Sequence, residues 1–151
     1  NGEVMVYNSA GSDLDRFAVV AIQSVMYGPD DNLSEFKNNP AFVVNTPAAG
    51  DEGRFGVLQA PCGQDKWAPA LFSGVTPVKI QLKDYHDRCA DILPGETGKL
   101  GSVNMGAAAV LWIESGYSGE KWAVPKRSPA HERAAPWPAA ARLRSMRRRR
   151  C

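Results

Sequence analysis

The stretch AVLWIESGYSGEKWAV, residues 109–124, decides how the rest of the chain is read. Two apolar runs, each carrying a tryptophan, flank a glycine- and serine-rich turn, the pattern of a β-hairpin. Val110, Leu111, Trp112 and Ile113 are apolar at successive positions, which predicts a strand buried on both faces, in a core or under an interface. Trp112 and Trp122 then read as cross-strand packing partners, worth about 0.5–1 kcal/mol beyond their burial. An alternative gives these rings, with Trp67 and with Tyr117 at the hairpin tip, to a sugar-stacking platform, because flat rings bury large area at small entropic cost. Packing is the expectation, since both hairpin indoles are embedded in apolar runs.

Outward from the hairpin, short apolar or alternating segments recur with turn residues between them. They are EVMVY (3–7), RFAVVAI (16–22), SVMY (24–27), AFVVN (41–45), RFGVLQ (54–59), PALF (69–72), PVKIQL (77–82), GKLGSV (98–103), AVLWIE (109–114) and KWAV (121–124). In PVKIQL the alternation is clear: Val78, Ile80 and Leu82 point one way, Lys79 and Gln81 the other. Segments 46–53, 60–65, 93–98 and 114–120 are turns by composition. One short helix is expected in DNLSEFKNNP (31–40), with Asn32 as N-cap, Glu35 completing a capping box, and Asn38, Asn39 and Pro40 as the stop. The expected fold is all-β: a small barrel or sandwich of about ten short strands with at most one short helix, over residues 1–125, with room for two small sub-modules.

The chain has 151 residues and a net charge of +2, but the charge is unevenly placed. From Lys126 onward nine basic residues face the single acid Glu132, a net +8, which leaves −6 on residues 1–125. An acidic body repels nucleic acid, so any nucleic-acid contact falls to the tail. Residues 126–151, rich in Arg, Ala and Pro and lacking strand alternation, are expected to be disordered, their RRRR run an electrostatic anchor at most. A GC-rich gene read out of frame yields the same mixture, which resequencing the coding DNA tests. No apolar run reaches the ~20 residues that cross a bilayer, so a soluble body without a membrane span is expected.

Few residues offer chemistry. DYHDRC (84–89) is the densest reactive cluster, and His86 and Cys89 could share a metal with Cys62; yet zinc needs at least three protein ligands, and neither a CxxC pair nor a second nearby histidine is present, His131 being in the tail. Cys62 and Cys89 could instead pair as a disulfide; Cys151 ends the chain. GETGK (95–99) lacks the spacing of a phosphate loop, and Ser118 lacks the final glycine of a nucleophile elbow, where Glu120 stands. DDNLSE (30–35) fails as a calcium loop, having Glu35 for the glycine and Ala41 at the twelfth position. No catalytic, cofactor or metal residue is therefore assigned, and no enzyme is expected; a small metal-dependent hydrolase around Asp84, His86 and Cys89 is the third reading.

The segments VYNSAGSDLDRFAVVAI, DNLSEFKNNPAFVVNTP, SGVTPVKI and AVLWIESGYSGEKWAV, in that order, resemble β-rich proteins associated with phage and prophage gene clusters, where small β-modules serve as virion components. The likeness spans residues 4–124. It implies a non-enzymatic structural module that assembles with copies of itself or with other virion proteins, the runner-up being a β-module that binds a surface glycan. In such relatives the strand with the second tryptophan continues as a hydrophobic run, whereas here Pro125 and Lys126 interrupt it.

Overall fold

A computed structural model describes residues 3–127, which form eleven strands and one short helix. Five strands close the first barrel: β1 (Glu3–Asn8), β2 (Val19–Val25), β3 (Ala41–Asn45), β4 (Phe55–Leu58) and β5 (Trp67–Leu71), in the order β1-β3-β2-β4-β5, with β5 back on β1. Helix α1 (Leu33–Asn38) is inserted between β2 and β3. After the two-residue β6 (Gly74–Val75) come β7 (Val78–Leu82), β8 (Cys89–Ile92), β9 (Leu100–Val103), β10 (Ala108–Ile113) and β11 (Gly119–Arg127). Their order is β10-β8-β9-β7-β11, closed by β10 on β11, with β6 attached to the end of β11.

The second barrel repeats the first. In each, the first and third strands pair in parallel and the other four seams are antiparallel. The registers also agree. Superposing Trp67↔Tyr7 on Trp122↔Lys79 carries Asn8↔Val44 onto Ile80↔Leu100, and Ile22↔Val44 onto Ile92↔Leu100. Val20↔Gly56 then meets Ala90↔Ala108, and Leu58↔Ala70 meets Val110↔Pro125, which returns to the tryptophans with no residue gained or lost. The sequence echoes the repeat in Lys66-Trp67-Ala68 and Lys121-Trp122-Ala123.

Alternation along β2 and β4 welds the barrels together. Val20 and Leu58 point into the first barrel with Val6, Val44 and Ala70. Val19, Phe55 and Val57 point out of it and join Val78, Ile80, Leu100 and Ala123 of the second. Both strands are thus buried on two faces, which is why VVA and FGVL are uninterrupted apolar runs. Polar ties support the seam: Asp91 accepts the Gly53 and Ala107 amides at 3.0 and 3.2 Å, and the Arg127 guanidinium lies 4.7 Å from the Phe55 ring centre while bonding the Gly53 carbonyl.

Several expectations change. SVMY is not a separate strand, because β2 runs through to Val25, while Arg16, Phe17 and Ala18 form the turn before it. Cys89–Ile92 is a strand, with the Asp91 carboxylate accepting from the backbone amides of Gly53, Ile92 and Ala107. Asn32 caps α1 by accepting the Glu35 amide at 3.1 Å, but the capping box is half made: Glu35 Oε2 accepts from Asn39 Nδ2 instead. β11 continues to Arg127, past the expected boundary at residue 125; Pro125 is buried in it and needs no amide donor where it meets the β10 bulge. The expectations for the Arg/Ala/Pro tail beyond Arg127 lie outside the described residues.

Candidate functional site

The hairpin tryptophans are not interior. Leu111 is 58% exposed, Trp112 56% and Trp122 42%, so β10 is not enclosed in the core of the described fold. Nor are the two indoles cross-strand partners: Trp112 pairs with Val124 and Trp122 with Lys79. A bulge at Leu111 shifts the register, and β8 pairs with β10 at Ala108 and Ala109, so from Leu111 onward β10 has, among the described residues, a strand neighbour on the β11 side alone. Directly paired residues share a face, so Trp112, Val124 and Trp122 lie together on the outside of the hairpin.

Trp67 and Trp122 occupy equivalent register positions in the last strand of each barrel, and both are 42% exposed. Each is braced by its cross-strand partner. Tyr7 meets Trp67 edge-to-face with ring centres 5.7 Å apart, and Lys79 Nζ lies 5.3 Å from the Trp122 ring centre. Beyond that the surroundings diverge. Trp122 faces a cleft of about 240 Å³ between the barrels, where Phe17 packs against it at 6.2 Å and Arg16, Lys79 and Asp15 supply charge.

Trp67 forms part of an open groove of about 460 Å³, with Met5 and Tyr27 as further apolar walls and Glu35, Asn38 and Asn39 on the α1 side. The ring's orientation is fixed in steps. Asp65, in the left-handed region at φ 58°, accepts the Tyr7 hydroxyl at 3.2 Å, and Tyr7 then holds the indole. Loss of surrounding water, then the Asp65 hydrogen bond and charge, push the Tyr7 phenol above its ordinary pKa. Asn38 Nδ2 donates to Ser34 Oγ at 3.3 Å and Asn39 Nδ2 to Glu35 Oε2 at 3.1 Å, so each amide is oriented and keeps further donor and acceptor capacity.

The residues proposed for metal or hydrolytic chemistry are not brought together. Cys62 is a free, buried thiol in the first barrel's core, its Sγ 3.4 Å from the Lys66 carbonyl oxygen, and burial raises its pKa. Cys89 begins a strand of the second barrel, so the two do not pair with each other. Asp84 and His86 meet at 3.0 Å on an exposed turn, where the His86 amide and then its ring pull the Asp84 pKa down, and Tyr85 stacks on the imidazole at 3.9 Å. Among the described residues no group of three or more His, Cys, Asp or Glu side chains is placed to hold a metal. Gly95 (φ 80°) and Gly116 (φ 130°) are turn glycines, consistent with reading GETGK and GYSG as turns. No helix among the described residues is long and apolar enough to cross a membrane.

Tyr117 sits on Tyr85 at 5.3 Å, at the hairpin tip, and does not line the Trp67 groove. The alternative sugar platform of Trp67, Trp112, Trp122 and Tyr117 is therefore divided: Trp112 and Trp122 share the hairpin's outer face, Tyr117 is at its tip, and Trp67 is on the first barrel. Tyr27, Asn38 and Asn39 were not singled out by the sequence as ligand-facing. No protein-family model matches the chain, and neither a curated protein nor a solved structure does.

Proposed function

We propose that the chain is a non-enzymatic assembly module that associates with a second copy through the outer face of β10–β11. The observation that carries this reading is the cluster of Leu111, Trp112, Val124 and Trp122 beside a stretch of β10 with one strand neighbour. Exposed apolar side chains gathered on one face favour a partner surface. An unsatisfied strand edge favours a second strand, and pairing β10 with β10 about a two-fold axis satisfies both copies at once. The resemblance to phage-associated β-modules supports a virion particle as the setting, with other virion proteins as further neighbours.

Sedimentation velocity over a concentration series tests it. Self-association is expected in the full chain, with reversal to monomer on Trp112→Ser or Leu111→Ser. A strict monomer at the highest soluble concentration contradicts the reading.

A further inference from the structure

We infer that the groove beside Trp67 binds a neutral saccharide. The internal repeat provides the comparison that separates this groove from ordinary barrel structure. A half-exposed tryptophan at the same register position of the last strand is common to both barrels, so the tryptophan alone signifies packing. What the first barrel adds is α1, inserted between its second and third strands, where the second barrel has the short connection 93–99. α1 buries none of its own residues, so it contributes nothing to either core. Its contribution is to bring Glu35, Asn38 and the capping Asn39 opposite Trp67, Tyr27 and Met5.

The wall chemistry selects the ligand. A flat indole held by Tyr7 offers an apolar surface to the C–H face of a sugar ring at little ordering cost. Carboxamides match hydroxyl groups because both kinds of group donate and accept hydrogen bonds. Among the described residues the groove's lining includes Glu35 and no lysine or arginine, so anionic sugars, nucleotides and phosphates meet an unfavourable field there. The same field attracts a cation, and the choline arm of the titration separates that case from a neutral sugar. The Trp122 cleft differs on each count: it is about half the volume, partly filled by Phe17, flanked by Arg16 and Lys79, and without an amide side chain. The groove belongs to the first barrel and the β10–β11 face to the second, so this inference stands or falls separately from self-association.

The test is calorimetric titration of the full chain with neutral oligomers of glucose, galactose, mannose and N-acetylglucosamine, with polygalacturonate and choline as charged comparisons. Saturable binding of at least one neutral oligomer is expected, weakened at least tenfold by Trp67→Ala and by Asn38→Ala. Asn38 lies on a helix outside both cores, so the second variant reads the groove even if the first misfolds. Tyr117→Ala, at the tip of the β10–β11 hairpin, should leave affinity unchanged. No neutral oligomer binding, binding that survives both groove variants, or preference for polygalacturonate or choline overturns the inference.

Discussion

Asn8 shows what one polar residue does where its repeat partner is apolar. It is fully buried at the position that Ile80 holds in the second barrel. Its Nδ2 reaches the carbonyls of Ser12, Cys62 and Gly63 at 2.9–3.2 Å, and its Oδ1 accepts the Ala10 amide at 2.9 Å. The side chain thus fastens two loops across the mouth of the first barrel. Asn8→Ile supplies the residue the second barrel uses, yet it takes the side-chain partner from the Ser12 carbonyl and the Ala10 amide, while the Cys62 and Gly63 carbonyls keep the Leu14 and Lys66 amides, so urea unfolding should report a loss of about 1–3 kcal/mol. A change under about 1 kcal/mol would show that water replaces the asparagine at no cost. Tyr7 makes a second prediction at this scale. Its folded-state pKa lies above the ordinary value near 10, so its O–H···Asp65 contribution is fully present below pH 10 and lost as pH rises through the folded pKa. Ultraviolet titration should show a phenol that ionises above the ordinary range, and that phenol should be absent in Tyr7→Phe.

The turn before β2 is an element built against local preference. Ala18 N–H bonds the Asp15 carbonyl at 3.2 Å, and Phe17, third of the four turn residues, has φ 68°. That geometry normally selects glycine. Here the bulky ring packs on the shared core and against Trp122, with the Arg16 guanidinium 4.5 Å from its centre. Truncation should therefore invert the usual order: Phe17→Ala loses the contacts and keeps the strain, Phe17→Gly loses the contacts and relieves it. Chemical denaturation should find the glycine variant more stable by about 1 kcal/mol; a more stable alanine variant rules out strain at this position. Strands were legible wherever pattern and environment agree: AFVVN is β3 residue for residue, and Val78, Ile80 and Leu82 are buried while Lys79 and Gln81 face outward. For β10 the core half of the expectation fails, because an all-apolar run cannot distinguish a strand enclosed by its own fold from one presenting a face outward. The strand buried along its whole length is β4, whose glycine weakens the apolar signal. β8 was hidden because Arg88 and Asp91 look like loop residues, while in the fold Asp91 serves neighbouring amides. Trp67 was visible as a candidate, but α1 and β5 are far apart in sequence, and only barrel closure sets Asn38 and Asn39 beside the indole.

At the scale of the whole molecule, duplication and cooperativity are linked. The repeat was nearly invisible in the sequence because seam register constrains geometry, not side-chain identity: Tyr7 corresponds to Lys79, Asn8 to Ile80, and Leu58 to Val110. Two barrels with separate interiors could melt separately. Here Val19, Phe55 and Val57 belong to the first barrel's strands and the second barrel's core, so unfolding either one opens the larger cluster to water. Phe55 is the strictest probe, being 1% exposed at the centre of that seam and covered by Arg127. Phe55→Ala should cost about 3–5 kcal/mol through lost transfer energy and the cavity left behind. Scanning calorimetry of the full chain should show a single transition with matching calorimetric and van't Hoff enthalpies, displaced to lower temperature as one peak by Phe55→Ala. If the variant instead splits the trace, with one barrel melting at its original temperature, the shared core does not couple the two halves and they fold as independent modules.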